Sequence, residues 1–202
     1  MREGDSIFID VGAYTGFHTL KAYRILRRRH GSLIVAVEPV PQNYQALVRE
    51  LPKADNIRTV RLAVWTCDDE DIEFYTGKGE LSQAGSMTPI IDHMARGYLS
   101  DGTIKVRTIR LDTLVRRMGL SGVDLVKMDI ESAECHVLTD PTLDLSSVRN
   151  LVVEVHYTPM SRESLEIVPS LNKEGLSRVY STARARWHNY HLIATRYGEI
   201  PW

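Results

Sequence analysis

The chain has 202 residues, 43% of them hydrophobic, and a formal charge of -1 at pH 7. That much apolar material supports one well-buried core and is too little for two comfortable domains, so a single domain over 1–202 is expected. The near-neutral charge excludes an overall field that would gather nucleic acid or an anionic membrane, and two cysteines, Cys67 and Cys135, make neither a disulfide framework nor a C-x-x-C metal or redox pair.

In chain order, the first apolar run, 7–11, starts too early for a signal peptide to precede it, and nowhere do about eighteen apolar residues follow one another. A cytoplasmic protein without membrane association is expected. Short runs rich in Ile, Val and Leu at 7–11, 33–37, 57–64, 124–128 and 151–155 suit parallel strands buried on both faces. Apolar residues recur at helical spacing over 17–29 and 42–51, with shorter candidates at 112–118 and 133–138. The alternation predicts an α/β fold. Residues 66–110 interrupt it: "DIEFYT" and "IKVRTIR" read as strands flanking a Gly/Ser-rich stretch, "GKGELSQAGSMTP", and predict an inserted hairpin and loop that covers a site. After a helical segment at 164–171, "SRVYSTA" and "HNYHLIATR", joined by "RARW", predict an antiparallel pair.

The turn after the first strand carries the first chemical signal. "IFIDVGAYTGFHTL" places Asp10 just before two glycines, Gly12 and Gly16, at a strand-to-helix corner, where open parallel sheets bind ligands. Glycine admits positive φ and close approach of a ligand to the backbone, and the free N–H groups that open the helix favour an anionic group. The spacing G-A-Y-T-G is neither the G-x-G-x-x-G of dinucleotide sites nor a phosphate loop ending in Gly-Lys-Ser/Thr. Asp10 would repel phosphate, yet could hold an ammonium directly or through water. The second strand runs into Glu38, where nucleotide-binding sheets place a ribose-binding acid. Ribose and a zwitterionic amino acid together suggest S-adenosylmethionine.

The segments "FIDVGAYTGFHTL", "VEPVPQNYQALVREL", "RLAVW", "TIRLDTL", "VDLVKMDIESAECHVL" and "LVVEVH" follow in this order, and over 5–157 the chain resembles FkbM-type methyltransferases. The resemblance implies a class I methyltransferase (Rossmann-like) fold: a mainly parallel sheet with helices on both faces and an antiparallel strand near the C-terminus. It also implies S-adenosylmethionine as methyl donor, and O-methylation of a hydroxyl on a small molecule, sugar or glycan. By the same resemblance Ala63 and Val64 would lie by the adenine. Where the family usually reads K-x-D-x-E-G-x-E, this chain has Lys127, Asp129, Glu131, Ser132 and Glu134.

Strand periodicity puts Lys127, Asp129 and Glu131 on one face, and Glu154 and His156 on one face of the next strand. Unpaired charges inside a central sheet would be costly, so the cluster should open into the ligand crevice or be mutually paired. One reading is a structural Lys–carboxylate network with a satisfied histidine. The catalytic reading takes His156 as a general base titrating near neutral pH, Asp129 as positioning donor or acceptor, and Glu131 and Glu154 as orienting their neighbours. The same four side chains could also form an oxygen-rich site for a hard divalent cation, although no metal is expected. The expected donor-binding set is Asp10, Gly12, Gly16, Glu38, Ala63, Val64 and Asp129. Arg24, Arg27, Arg28 and Arg29 at the first helix end, and Arg184 and Arg186, read as solvated. Tyr14 and His18 carry no assigned chemistry, and Ser82 and Ser86 in the long loop are candidates only by location.

A small-molecule or glycan acceptor is expected rather than nucleic acid, since there is no N/D-P-P-Y/F motif and no basic charge. The second reading is a non-catalytic binding protein that keeps the methyltransferase fold, suggested by Ser132 and the short segment before the first strand. Donor turnover with candidate acceptors separates the two. A nicotinamide oxidoreductase is opposed by the missing G-x-G-x-x-G.

Overall fold

A computed structural model describes residues 6–77, 99–157, 159–182 and 190–197. The "GKGELSQAGSMTP" loop beyond Gly77, with Ser82 and Ser86, lies outside the described residues, as does the "RARW" connection with Arg184 and Arg186.

The first half alternates as expected: β1 (Ile7–Val11), α1 (Phe17–Leu26), β2 (Leu33–Val37), α2 (Pro41–Glu50) and β3 (Ile57–Val60). β1 is buried along its whole length, which explains its near-continuous apolar run. Its two faces meet different partners. Ile7, Ile9 and Val11 join the main core, whereas Ala36 of β2 packs with Leu47 and Leu51 on the face covered by α1 and α2. Asp10 therefore points to the α1 side, in register with Ala36 on one neighbour and Lys127 on the other.

The second half supplies α3 (Leu111–Arg117), β7 (Leu125–Met128), α4 (Glu134–Thr139), β8 (Asn150–Val155), α5 (Arg162–Lys173), β9 (Arg178–Ser181) and β10 (Tyr190–Thr195). Leu151, Val153 and Val155 of β8 bury against the core that holds Ile167 and Leu171 of α5. The alternate residues, including Val152 and Glu154, are half-buried on the α1 side. There they join Phe8, Leu125 and Ile25 in an apolar groove that also carries Lys127 and His191. The main sheet runs β3-β2-β1-β7-β8-β10-β9. Its pairs are parallel from β3 to β8, and β10 is antiparallel to both β8 and β9. This is the mainly parallel α/β sheet with a reversed C-terminal strand that was expected. Among the described residues no helix is long and apolar enough to cross a membrane.

Two expectations need correction. The run 57–64 is not one strand: β3 ends at Val60, and Ala63–Val64 form β4, which leaves the main sheet for a second one. There β4 pairs in parallel with β6 (Leu99–Ile109), which pairs antiparallel with β5 (Asp71–Gly77) in the order β4-β6-β5. β-propensity marks a pleated segment without saying which strand it will join. The hairpin expected around "DIEFYT" and "IKVRTIR" is thus present, and it carries β4 with it. The first helix ends at Leu26 rather than Arg29, with Arg27 capping through its N–H to the Tyr23 carbonyl.

Candidate active site

The strand ends that define the site belong to β1, β2, β7 and β8. After β1 the chain turns sharply, and the N–H groups of Gly12 and Ala13 both donate to the Val37 carbonyl at 3.0 and 2.9 Å. The corner needs left-handed backbone at Gly12 (φ 75), Tyr14 (φ 51) and Gly16 (φ 94). Bulk at the two glycines would strike protein. A Cβ on Gly12 would sit 1.8 Å from the Asp129 carbonyl oxygen, and one on Gly16 would sit 2.8 Å from Leu47 Cδ1. These glycines let β1 approach β7 and α1 approach α2; room for a ligand is a consequence of that packing.

A cavity opens beside this corner, with walls that include Gly12, Glu38, Ala63, Val64, Asp129 and Glu131. Tyr14, Asn43 and Phe74 also line it, and sequence reasoning gave them no role. Phe74 was traceable in principle, because strand alternation in "DIEFYT" buries that position. Asp10 and Gly16 are absent from the lining. Asp10 is fully buried behind the corner, where Thr19 Oγ1 donates to Oδ2 at 2.6 Å and Lys127 Nζ lies 3.5 Å from Oδ1. Burial pushes its carboxyl up from the usual range, against the pull of Lys127 and Thr19. In this arrangement Asp10 braces the site from behind, with its ammonium partner supplied by the protein itself.

Lys127 is the tie between the two strand ends. Its Nζ donates to the Gly12 carbonyl and to Asp129 Oδ2, each at 3.2 Å, while facing Asp10. Glu38 is nearly buried and holds three donors: Tyr14 N–H at 2.9 Å on Oε2, and Val40 N–H and Asn43 Nδ2 at 3.1 Å on Oε1. Burial raises its pKa, and these hydrogen bonds oppose the rise. A carboxylate can accept about four hydrogen bonds, so capacity remains for a ligand hydroxyl at the cavity wall.

Beyond Asp129 strand periodicity ceases to apply. β7 ends at Met128, and Glu131 (φ 51) and Ser132 (φ 78) form a left-handed turn that swings Glu131 toward His156 at the end of β8. His156 Nε2 lies 3.5 Å from Glu131 Oε2, 3.8 Å from Asp129 Oδ1 and 4.0 Å from Glu154 Oε1. Its Nδ1 is 3.0 Å from Oε1 of Glu134, a fully buried residue given no role by the sequence. The other oxygen of Glu154 faces His191 Nε2 at 3.6 Å. The four expected residues Asp129, Glu131, Glu154 and His156 are therefore brought together, and Glu134 and His191 join them. The signal for Glu134 was its place in the K-x-D-x-E-x-x-E run.

This concentration of carboxylates resets the titration of the site. Burial pulls the His156 pKa down, but the hydrogen bond and charge of Glu134, with Glu131 and Asp129, outweigh it and hold the imidazole at about 9. Glu131 is pushed up to about 7, first by burial and then by Asp129, Glu134 and Glu154, against the attraction of His156. The neutral-pH titration expected for His156 is corrected accordingly: its acid neighbours stabilise the imidazolium. Ligand atoms of Asp129, Glu154 and His156 lie within 4.8 Å of one another, a spacing that a divalent cation could also use.

Comparison with known proteins bears on the family and the fold. The chain matches the methyltransferase FkbM domain over residues 10–183. It is similar to the 2-O-methyltransferase NoeI of Sinorhizobium fredii, 26% identical over 161 residues that cover 76% of this chain and 65% of that protein. It is similar also to the hexuronic acid methyltransferase AglP of Haloferax volcanii, 25% identical over 154 residues that cover 76% of this chain and 57% of that protein. The chain thus spans less than two-thirds of the length of either relative. Among solved structures, a methyltransferase FkbM from Methylobacillus flagellatus KT superposes with a TM-score of 0.53 at 12% identity, covering 96% of this chain and 44% of that one. Fibrillarin from Aeropyrum pernix with natively bound S-adenosyl-L-methionine gives 0.52 at 12% identity, covering 96% of this chain and 67% of that one. Such likeness establishes the class I methyltransferase fold, and with the domain match extending over most of the sequence, the chain belongs to the FkbM methyltransferase family.

Proposed function

We propose that this chain is an S-adenosylmethionine-dependent O-methyltransferase acting on a hydroxyl of a sugar, a glycan or another small hydroxylated molecule. One observation carries the reading: Asp129 and Glu131 line the cavity beside the glycine corner and also face His156 Nε2 at 3.8 and 3.5 Å. A donor site and a proton-accepting group thereby share a wall. The cavity suits the donor by chemistry. Glu38 retains acceptor capacity for a ribose hydroxyl, Ala63 and Val64 offer an apolar flank for adenine, and the carboxylates favour a cationic ligand. S-adenosylmethionine supplies an activated methyl group when bound. The chain's own contribution is to orient an acceptor hydroxyl and to receive its proton at His156 Nε2, with Asp129, Glu131 and Glu154 stabilising the resulting imidazolium.

The sugar as acceptor class is supported by two of the relatives, a 2-O-methyltransferase and a hexuronic acid methyltransferase. Ser132 does not favour the binding-protein reading, because its φ of 78 follows the left-handed path that glycine takes easily. The test is calorimetric titration with S-adenosylhomocysteine, followed by incubation with S-adenosylmethionine and a panel of sugars, uronic acids and glycans, read by mass spectrometry. Acceptor-dependent formation of S-adenosylhomocysteine together with a product one methyl heavier supports the proposal. Donor binding without turnover of any acceptor supports a non-catalytic protein.

A further inference from the structure

Glu134 opens α4 and is fully buried, and beyond its effect on the His156 titration it has no part in the reaction as proposed above. Its Oε1 accepts two hydrogen bonds, from the Ile130 N–H at 2.8 Å and from His156 Nδ1 at 3.0 Å. Its Oε2 has no hydrogen-bond partner among the described residues. Burying a carboxylate with one oxygen unsatisfied is expensive, and a well-packed apolar residue at this helix start would be the more stable choice. The arrangement does have one local effect on the ring. With Nδ1–H held by Glu134, neutral His156 keeps its lone pair on Nε2, the atom that faces Asp129, Glu131 and Glu154.

We propose that Glu134 is a positioning residue for methyl transfer: through one oxygen it anchors both the turn after β7 and the His156 ring, so that Nε2 is the atom presented to the acceptor hydroxyl. The inference rests on His156 as proton acceptor. As the hydroxyl oxygen bonds to the methyl carbon, the carbon–sulfur bond of the donor breaks with its electron pair going to sulfur. The O–H proton passes to Nε2, leaving an imidazolium whose Nδ1–H stays on Glu134. The carboxylate stabilises that cation and takes no proton. The charged groups facing the ring come from every neighbouring element: Asp129 beyond β7, Glu131 in the turn, Glu134 on α4 and Glu154 on β8. Lys127 offsets Asp129, and His191 on β10 reaches the ring only through Glu154. Glu134 is the one at hydrogen-bond distance and the one that touches Nδ1.

Two variants separate positioning from support. Glu134→Gln keeps an acceptor oxygen for both N–H groups and removes the charge; Glu134→Ala removes both. Nitrogen-15 NMR of the His156 imidazole in the whole protein reports tautomer and titration without any turnover. Wild type is expected to hold the Nδ1–H tautomer above a midpoint of about 9. Glu134→Gln should keep that tautomer with the midpoint moved down toward the ordinary value of about 6.5. Glu134→Ala should populate the Nε2–H tautomer and lower kcat about 10- to 100-fold at nearly unchanged donor affinity, with Gln recovering most of kcat. An Ala variant with the wild-type tautomer overturns the proposal, as does one with an altered tautomer and wild-type kcat. Wild type that turns over no acceptor would defeat the functional reading instead, while the NMR titration still decides whether Glu134 sets the ring.

Discussion

The backbone N–H of Tyr14 donates to Glu38 Oε2 at 2.9 Å, so the acid that ends β2 holds the corner that follows β1. Glu38 is thus at once part of the cavity wall and a structural group. Glu38→Ala should weaken S-adenosylmethionine binding by about 1.5–3 kcal/mol, the scale of hydrogen bonds to a charged group. It should also lower stability by about 1–3 kcal/mol, since the N–H groups of Tyr14 and Val40 and the Asn43 amide lose their acceptor. Denaturant unfolding measures the second effect and calorimetry on folded protein the first. Unchanged donor affinity would remove Glu38 from the binding site.

Gly12 and Gly119 make a matched pair for separating strain from collision. Both have positive φ, 75 and 68, but a Cβ on Gly12 meets the Asp129 carbonyl at 1.8 Å while one on Gly119 meets nothing within 4 Å. Gly12→Ala should therefore destabilise by about 3 kcal/mol or more, and Gly119→Ala by about 1 kcal/mol. Equal losses in thermal unfolding would show that backbone strain alone governs the corner.

Ser132 holds φ 78, a left-handed backbone that glycine adopts most easily. Left-handed backbone costs a residue with a Cβ about 1–2 kcal/mol, partly offset by the greater unfolded-state freedom of glycine. Ser132→Gly should stabilise by about 1 kcal/mol, a Tm rise of about 2–4 °C. A lower Tm would mean that the serine side chain contributes more than its backbone strain removes.

Two of the site's shifted pKa values predict how stability follows pH. Glu131, raised from 4.5 to about 7, and His156, raised from 6.5 to about 9, both bind more protons folded than unfolded over those intervals. Stability must then fall as pH rises through each window. The Glu131 contribution diminishes between about pH 4.5 and 7, and the His156 contribution is full below about 6.5 and lost by about 9. Glu131→Gln should flatten the lower limb and His156→Gln the upper one in denaturation measured across pH. A stability curve rising from pH 5 to 9 would contradict the paired arrangement.

His156 at about 9 is protonated at neutral pH, so with His156 as base kcat should climb with pH toward an inflection near that value. His156→Ala should lower kcat about 10²- to 10⁴-fold while leaving donor affinity nearly intact. Activity should survive EDTA. Unchanged kcat in the variant, where chemistry limits the rate, would exclude the base assignment. Loss in EDTA restored by Mg²⁺ would instead give Asp129, Glu154 and His156 to a cation.

Much of this protein was legible one segment at a time, because local periodicity records burial. The IFIDV run, the helical spacing after Gly16 and the paired strands at the C-terminus each state which faces are covered, and the elements follow. Glu38, Asp129, Glu131, Glu154 and His156 were legible for a related reason: charges at the ends of apolar strands need a crevice or a partner. Which of the two each receives was decided only by the tertiary structure. Asp10 meets Lys127 because β1 lies beside β7, which sequence separation conceals, and so it stands behind the cavity rather than in it. β4 leaves the main sheet because its hydrogen-bond partner is β6, a choice that propensity does not encode. The pKa of His156 depends on Glu134 approaching from a helix while Glu131 arrives from a left-handed turn. Residue type sets what a group can do, but its charge state comes from distances and burial that exist only once the sheet has assembled.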